Sequence, residues 1–294
     1  MQSFFFIINS RIGSEKIKQL QSAIDTYLSD KKVQLTYTAY GGHATLLAQE
    51  ALQIKDTVVV AVGGDGTVNE VIQQLACTNA PLAIIPTGSG NGLARHCQIP
   101  INMTQAVALL ATGHLLKIDL GKANEKYFIS NAGVGFDAWV CNTIKTTKSR
   151  GLKMYVWKVI KHYFSYHKDL YTLTTDEKYL KQHAFFLNIA NGKEFGYGFQ
   201  IAPEASLQDG LLDVILAKSI TPFNGLKFVI DGWRKRLHKN KNCIYFKTKK
   251  IKIESPQLRY FQTDGDAHDC NGICEITLIE NALNIMVPSE IKHL

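Results

Sequence analysis

The sequence predicts a two-part fold of class α/β + β, in which an α/β domain with a parallel sheet precedes a mainly antiparallel β domain. Two observations support this prediction. In roughly the first 117 of the 294 residues, apolar runs alternate with segments of helical periodicity, which is typical of a parallel sheet with right-handed crossovers. Beyond that point, strand-like segments separated by turn residues follow one another with few helices between them.

Four strands and four helices are predicted in the first part. The strands are FFFIIN (4–9), VQLTYTAY (33–40), TVVVAV (57–62) and PLAIIP (81–86). The helices cover residues 14–30, 43–54, 67–76 and 92–99. The first helix has an apolar face made of Ile17, Leu20, Ile24, Tyr27 and Leu28. Ligands of such sheets bind beyond the carboxyl ends of the strands.

Six strand-like segments and two amphipathic helices are predicted in the second part. The strands are YFISNAGVGFDAWV (127–140), YTLTTD (171–176), HAFFLNIANG (183–192), LLDVILAK (211–218), KIKIES (250–255) and CEITLIEN (274–281). The helices lie within 151–166 and 222–241, and the second has an apolar stripe of Leu226, Val229, Ile230, Trp233 and Leu237. Both carry basic residues, so they either pack on their own domain with a solvated face or lie on an anionic membrane.

The composition indicates a folded protein with an anionic partner. Hydrophobic residues make up 46% and charged residues 20%, with a formal net charge of +8, which excludes a disordered chain. A nucleotide, a nucleic acid or an anionic membrane would suit this charge, although no base-stacking motif supports nucleic acid. The six cysteines include one close pair, Cys270 and Cys274, but neither a disulfide framework nor zinc-site spacing. Without a signal peptide or spanning segment, a cytoplasmic protein with peripheral membrane association is expected.

A glycine-rich turn in VVVAVGGDGTVNEVIQQL (58–75) is the first candidate for chemistry. Gly63, Gly64 and Gly66 allow the backbone to approach a ligand closely, and a helix start favours phosphate. The acid Asp65 does not suit simple phosphate binding. It would suit a magnesium ion bridging phosphates, or a hydroxyl or water bound to one. An ordinary turn between strand and helix is the alternative.

The spacing of Thr67 and Glu70 predicts a capping box, and therefore a helix that begins at Thr67.

A second glycine-rich turn follows the next strand. Its residues are Gly88, Ser89, Gly90, Asn91 and Gly92. Two such turns after neighbouring strands can face one ligand from two sides.

Two groups of aspartates complete the candidates. Asp264 and Asp266 lie in FQTDGDAHD, where they could act as a general base and a charge partner from one strand face. Asp-Gly is also a common hairpin turn, and residue chemistry alone favours the turn. Asp209 with Gly210 again predicts a turn before a strand that contains Asp213. A metal site there is the less favoured alternative.

Together these segments resemble the diacylglycerol kinase catalytic-domain superfamily, which includes bacterial diacylglycerol kinases, related bacterial lipid kinases and sphingosine kinases. The matching segments occur in the family's order: GGDGTVNEV, PTGSGNGLAR, NAGVGFDA, NIANGKEFGYGFQIAPEASLQDGLLDV and TDGD. The resemblance implies a Rossmann-like first domain, similar to NAD kinases and phosphofructokinases, over 1–118 plus 283–294. It implies a second, β-sandwich-like lipid-substrate domain over 119–282.

The resemblance also implies a nucleotide site in the first domain. Its first segments are Asn9, Ser10, Arg11, Ile12, Gly13 and, after the next strand, Thr38. Its phosphate turns are Gly63, Gly64, Asp65, Gly66, Thr67, Val68 and Asn69, and then Gly88, Ser89, Gly90 and Asn91. Two positions depart from the family pattern, because Ser10 stands where proline is usual and Ser89 replaces a threonine.

In the second domain the resemblance implies three further sites. Asp264 and Asp266 fall on the family's catalytic D-G-E, with Asp266 in place of glutamate. Asp137 resembles an acid near the lipid headgroup. The implied metal site, for Mg²⁺ or Ca²⁺, consists of Asp209 and the backbone carbonyls of Ser206 and Leu211.

The function expected from this resemblance is an ATP-dependent, Mg²⁺-dependent lipid kinase that transfers the γ-phosphate to a hydroxyl of diacylglycerol or a sphingoid base. The expected partner is a lipid substrate at an anionic membrane surface, without nucleic acid, and a homodimer is left open. Two alternatives stay open as well: an NAD kinase-like enzyme, and a lipid- or nucleotide-binding regulator without turnover.

Overall fold

A computed structural model of the chain describes residues 3–145, 152–163, 165–196 and 199–294. The chain divides into two compact units. The first unit is Met1–Leu120 with Glu280–Leu294, and the second is Gly121–Ile279. The boundaries between the two domains that the sequence predicts lie at 118/119 and 282/283, within three residues of these.

The first unit alternates strands and helices around a parallel sheet. In chain order its elements are β1 Ser3–Ile8, α1 Ser14–Tyr27, β2 Lys32–Tyr37, α2 His43–Ala51, β3 Thr57–Gly63, α3 Asp65–Leu75, β4 Pro81–Pro86, α4 Gly92–His96, α5 Met103–Thr112 and β5 His114–Ala123. The sheet order is β2-β1-β3-β4, and all these pairs are parallel. Because each crossover returns to the same edge, the carboxyl ends of the four strands lie together.

The second unit is mainly antiparallel. Its elements are β6 Lys126–Phe128, β7 Asn131–Gly135, α6 Phe136–Lys145, α7 Leu152–Tyr163, β8 Asp169–Thr174, β9 Tyr179–Ala184, β10 Phe186–Ala190, β11 Glu194–Gly196, β12 Phe199–Gln200, β13 Leu212–Ala217, α8 Pro222–Trp233, β14 Cys243–Thr248, β15 Lys250–Glu254, β16 Tyr260–Thr263, β17 Asp266–Asp269 and β18 Ile273–Val287. One sheet has the order β14-β13-β10-β7-β16-β17, and β9-β8-β15-β18 forms a second antiparallel run.

A common apolar core joins the two antiparallel runs of the second unit. Val134 and Leu187 come from the first run, and Leu173, Ile253 and Ile276 come from the second. All five side chains are buried. Two sheets that bury their inner faces against each other form a sandwich-like arrangement.

The core of the first unit follows from uninterrupted apolar strands. Every residue of β3 is buried, as expected for a strand covered by helices on both faces. In α1 the predicted face is correct at Leu20 and Ile24, which are buried, but wrong at Tyr27, which is exposed at the end of the helix. The small Ala23 takes part in the buried face instead.

Two predictions about helices need correction. The sequence analysis places no helix over α5, although its Asn102 caps it by accepting a hydrogen bond from the Gln105 N–H. The predicted strand 127–140 ends at Gly135, and the residues after it form α6. Gly135 has a φ of +86°, and a Cβ there would lie 2.9 Å from the Phe185 carbonyl oxygen. This conformation is open to glycine and turns the chain from strand into helix.

The apolar stripe predicted for α8 is largely exposed. Trp233 is 64% exposed, and Val229 and Ile230 are 38% and 37% exposed. Leu237 lies beyond the helix and is buried. Val229, Ile230 and Trp233 of the predicted stripe are therefore exposed, and the side chain of Leu226 lies outside the described residues. Helix α8 packs on its own unit through Phe228 instead. In the part of the chain that the structure describes, no helix is long and apolar enough to cross a membrane.

Candidate functional site

The segments after the first three strands meet at the carboxyl edge of the parallel sheet. Asn9 follows β1, and its side-chain amide donates to Thr67 Oγ1 over 2.9 Å. Asn9 Oδ1 accepts from the Arg11 N–H at 3.0 Å. Thr38 Oγ1, after β2, accepts from the Ser10 N–H at 3.2 Å. The bonds to Thr67 and Thr38 join residues that lie 58 and 28 positions apart in the chain.

The two glycine-rich turns contact each other through their backbones. A Cβ built on Gly88 would lie 2.6 Å from the Gly64 Cα, and a Cβ on Gly64 would lie 3.1 Å from the Gly88 Cα. The Thr87 N–H donates to the Gly63 carbonyl over 2.9 Å and continues the β3–β4 pairing into the turns. Glycine is needed at these two positions because no side chain fits between the turns.

Asp65 connects the first turn to the second. Its Oδ1 accepts a 2.6 Å hydrogen bond from the Gly92 N–H, at the start of α4. A Cβ on Gly90 would lie 2.7 Å from the other carboxylate oxygen. The acid is therefore placed beside an amide donor and the positive end of a short helix, which stabilises a carboxylate.

The second turn is closed by Asn91. This residue has a φ of +51°, which asparagine tolerates better than most residues. Its side chain accepts from the Gly88 N–H at 3.0 Å and donates to the Gly88 carbonyl at 2.8 Å. Arg95 Nε donates to the Gly90 carbonyl at 3.0 Å. Ser89 is exposed between these two anchored positions.

The predicted capping box is wrong. Helix α3 begins at Asp65 rather than Thr67, and the Thr67 hydroxyl accepts from Asn9 instead of capping the helix. The Glu70 carboxylate accepts from the Ala44 N–H at 3.1 Å. Glu70 therefore caps the start of α2, whose own N-cap residue provides no side-chain hydrogen bond among the described residues.

The remaining predicted nucleotide residues differ in exposure. Val68 is buried in the face that α3 packs against the sheet, so its side chain is part of the core. Ile12 is half-buried against the core of the first unit. Asn69 accepts from the Gln73 side chain at 3.3 Å. Gly13 precedes α1 as its N-cap residue, and a Cβ there would meet no atom within 4 Å.

The segment TDGD forms the turn of the β16–β17 hairpin. Asp264 and Gly265 are its central residues, with φ values of +49° and +88°, as tight two-residue hairpin turns require. Thr263 and Asp266 pair across it. The two acids therefore belong to a turn, and the alternative that they project from one face of a single strand is wrong.

The two acids have different surroundings. The Asp264 carboxylate accepts three backbone N–H groups, from Ile129 at 2.9 Å, Ser130 at 2.8 Å and Asn131 at 3.1 Å. Its own N–H donates to the Asn131 carbonyl. Asp266 begins β17 and is exposed. Asp264 therefore anchors the hairpin to the segment before β7, whereas Asp266 presents its carboxylate to solvent.

A buried polar network lies beneath this hairpin, and the sequence analysis missed it. Gln262 Nε2 donates to Asn131 Oδ1 at 2.8 Å and to Asp137 Oδ2 at 2.9 Å. Gln262 Oε1 accepts from the Gly265 N–H at 2.8 Å, and Asn188 also donates to Asn131. Polar residues inside apolar strands are the signal that could have identified this network. Asp137, the predicted headgroup residue, is itself buried.

Asp209 lies in a turn, as its sequence indicated, and contacts a lysine. Its Oδ1 accepts from the Leu211 N–H at 3.1 Å, and its Oδ2 lies 2.8 Å from Lys247 Nζ. Ser206 Oγ accepts from the Gln208 N–H at 3.2 Å. Within the described ranges, no group of three or more His, Cys, Asp or Glu residues could hold a metal ion. In this arrangement the predicted metal set does not fit a divalent ion, because an ammonium group already contacts its carboxylate.

Asp213 is buried next to the same lysine. It pairs directly with Lys247 across the β13–β14 ladder, and the Tyr245 hydroxyl donates to its Oδ1. Burial raises the pKa of Asp213 to about 7, and the nearby Lys247 charge partly opposes this rise. The proton on Asp213 is therefore held more tightly in the folded chain than in an unfolded one.

One cavity of about 550 Å³ lies at the amino ends of β3 and β4, against Thr57, Val58 and Pro81. The glycine turns are at the opposite, carboxyl ends of the same strands. This cavity is therefore separate from the glycine turns.

Comparison with known proteins agrees with both units. A family model described as the diacylglycerol kinase catalytic domain matches residues 3–123. A second model, described as the YegS C-terminal NAD kinase beta sandwich-like domain, matches residues 130–287. The predicted fold class, a Rossmann-like parallel-sheet domain with a β-sandwich-like domain, is confirmed.

Individual relatives match along most of their length. A protein of Pectobacterium atrosepticum named "Probable lipid kinase YegS-like" is 31% identical over 272 residues, covering 88% of each chain. A protein of the same name from Serratia proteamaculans is 29% identical and covers 96% of this chain and 93% of its own. The crystal structure of a diacylglycerol kinase from Bacillus anthracis matches with a TM-score of 0.74, at 23% identity over 97% of this chain and 96% of its own. This structural likeness shows the fold.

We predict that Gly88→Ala destabilises the chain by about 1–3 kcal/mol, because the new methyl group would overlap the Gly64 backbone. Gly66→Ala is the matched control, since a Cβ there meets no atom within 4 Å and alanine favours a helix by up to about 1 kcal/mol. Urea denaturation without nucleotide measures both changes. Equal stability of the two variants would contradict the backbone contact.

We also predict a pH-dependent loss of stability from Asp213. Its folded pKa, about 7, lies above its unfolded value near 4, so its contribution is complete below about pH 4 and is lost as the pH rises through 7. Between pH 5 and 8, wild type should therefore lose roughly 2 kcal/mol relative to Asp213→Asn. Urea denaturation at both pH values measures this difference, with the exposed Asp176→Asn as control. Parallel profiles for wild type and Asp213→Asn would show that Asp213 is already ionised at pH 5.

Proposed function

The chain belongs to the diacylglycerol kinase catalytic-domain superfamily, and we propose on this premise that it is an ATP-dependent lipid kinase. The proposed reaction transfers the γ-phosphate of ATP to a lipid hydroxyl, of diacylglycerol or of a sphingoid base. The single observation that carries this proposal is the pair of glycine turns in backbone contact at Gly64 and Gly88. The relatives named as lipid kinases support the choice of acceptor class.

The first turn has the chemistry of a phosphate site. Gly64 is the N-cap residue of α3, and as a glycine it provides no side-chain cap to that helix start. Uncapped N–H groups and the helix dipole together favour an anion. Gly66 is exposed in the same first turn, and its hydrogen allows close backbone approach. Fixed amide donors of this kind stabilise the charge on a transferring phosphoryl group without reorganisation.

We assign the proton-accepting role to Asp266. Asp264 already accepts three backbone N–H groups, which use most of the acceptor sites of its carboxylate, whereas Asp266 is exposed. In the proposed step the lipid hydroxyl oxygen forms a bond to the γ-phosphorus, and the bond from phosphorus to the β–γ bridging oxygen breaks. The hydroxyl proton passes to the Asp266 carboxylate, and ADP leaves. Asp264 is a positioning residue that holds the hairpin.

Magnesium is expected to accompany ATP rather than the Asp209 turn. Bound Mg²⁺ would supply charge neutralisation on the phosphate oxygens. Asp65 is an exposed carboxylate between the two glycine turns, and a carboxylate is the ligand type that magnesium prefers. Asp65 is therefore the residue of the first unit that we propose for this ion.

A basic, partly apolar surface suits a lipid acceptor held in a membrane. The exposed residues Val229, Ile230 and Trp233 lie at helical spacing on α8, and the exposed basic run 234–236 follows them directly. An exposed tryptophan with neighbouring cations is typical of a segment that lies in the interface of an anionic bilayer. We propose that this surface brings the enzyme to its substrate.

We predict that Asp266→Asn abolishes phosphate transfer while leaving the chain folded. Loss of a general base lowers rates by about 10²–10⁴-fold, whereas an exposed Asp→Asn change should alter stability by less than about 0.5 kcal/mol. Asp264→Asn should instead lower stability by about 1–3 kcal/mol, because buried N–H groups lose a charged acceptor. The exposed Asp269→Asn in the same strand is the control.

The measurement is labelled-ATP transfer to diacylglycerol, monoacylglycerol, sphingosine, ceramide, phosphatidylglycerol, undecaprenol and NAD, with thermal unfolding of each variant in parallel. Transfer to NAD alone would establish the NAD kinase-like alternative. ATP binding without transfer to any acceptor would establish a regulator. Full activity of a folded Asp266→Asn variant would exclude Asp266 as the general base.

We predict further that Trp233→Ser weakens membrane binding by about 3–10-fold, because one large interfacial side chain is lost. Sedimentation with vesicles of phosphatidylglycerol and phosphatidylcholine measures this, with pure phosphatidylcholine vesicles as the charge control. Tyr179→Ser removes an aromatic ring that is 72% exposed elsewhere on the second unit. Equal binding by the two variants would show that α8 is not the membrane surface.

A further inference from the structure

Lys247 contacts the carboxylate of Asp209, which the resemblance implies as a metal ligand. Its Nζ is 2.8 Å from Asp209 Oδ2, 3.1 Å from the Glu204 carbonyl oxygen and 3.5 Å from Asp213 Oδ2. The ammonium group therefore donates hydrogen bonds to Asp209 and to the Glu204 carbonyl, and it lies at ion-pair distance from the Asp213 carboxylate. We propose that Lys247 is the built-in cation of this turn and that the chain needs no divalent metal there.

The strand register accounts for this placement. Lys247 on β14 stands directly opposite Asp213 on β13, and the turn that carries Asp209 immediately precedes β13. The lysine therefore reaches a carboxylate of the strand and a carboxylate of the turn from one position. Its Nζ also contacts the backbone of Glu204. One side chain thus connects both ends of the segment 204–213 to the neighbouring strand.

A positive charge is needed next to this turn because the carboxyl group of Asp213 is buried there. Asp213 is fully buried, and its Oδ2 has no hydrogen-bond partner among the described residues. A buried carboxylate oxygen requires a nearby positive charge or a proton. The Lys247 ammonium is close enough for an ion pair. A second basic residue, His238, lies 3.6 Å from the Glu204 carboxylate and not at the three oxygens that surround Lys247.

Lysine and metal exclude each other at this position. Calcium binds oxygens at about 2.3–2.6 Å and magnesium at about 2.0–2.1 Å. An ion at either distance from Asp209 Oδ2 would share that oxygen with an ammonium group 2.8 Å away. The repulsion between a divalent ion and a fixed ammonium would oppose binding. Removal of the ammonium should therefore leave an oxygen-lined position that accepts a divalent ion.

The test compares wild type with Lys247→Met in thermal unfolding, using the full chain without ATP or lipid. For wild type, EDTA, CaCl₂ and MgCl₂ should leave the midpoint unchanged. For Lys247→Met, the midpoint in EDTA should fall by about 5–10 °C, because two carboxylates lose their counter-charge. Added CaCl₂ should recover at least half of that fall. Calorimetry should detect one calcium site in the variant and none in wild type.

Two variants control the test. In the double variant Lys247→Met/Asp209→Asn, added CaCl₂ should no longer raise the unfolding midpoint. This result would show that the calcium ion binds at the Asp209 turn. Lys252→Met removes a lysine paired with Glu254 on the surface of the same unit, and it should respond to neither EDTA nor calcium. If Lys247→Met does not fold, Lys247→Gln replaces it.

The proposal is overturned if EDTA destabilises wild type, or if wild type binds calcium in a manner abolished by Asp209→Asn. It is also overturned if Lys247→Met, or the glutamine variant, shows no response to either divalent ion. These measurements need no turnover, so their outcome is independent of the proposed kinase function.

Discussion

The backbone contact between Gly64 and Gly88 is the constraint on which the arrangement of the two glycine turns in the first unit depends. The parallel register places Gly63 beside Pro86, so the turns after β3 and β4 emerge side by side. Without a Cβ at either glycine, the two turns can touch directly. Asp65 then reaches the start of α4 from the first turn. The glycines therefore have two roles, to pack one turn against the other and to leave amide groups accessible to a ligand.

The aspartates show how surroundings, rather than residue type, decide what a carboxylate can do. Asp264 is held by three amide groups and acts as an anchor. Asp209 is held by an ammonium group of the chain itself. Asp213 is buried, and burial raises its pKa. Asp266, one residue beyond the centre of its hairpin turn, remains exposed, which is why we propose it, rather than Asp264, as the proton acceptor.

Some of the differences between sequence-based prediction and structure arise from competition between local and long-range partners. Thr67 and Glu70 have the spacing of a capping box, but each finds a distant partner in Asn9 and Ala44. The segment after Gly135 is apolar enough for a strand, yet a left-handed glycine turns it into a helix. Local spacing could not reveal these outcomes, because the competing partners come from other elements.

The sequence by itself determined the alternation of buried strands and helices, the glycine turns and the Asp-Gly hairpin, because each depends on local periodicity or backbone freedom. It also carried the ordered motifs that place the chain in its superfamily. Only the tertiary structure decided the partners of the charged side chains. Lys247 lies 34 residues beyond Asp213 in the chain but directly opposite it in the sheet. Such pairings depend on strand register, which arises from the packing of the whole unit.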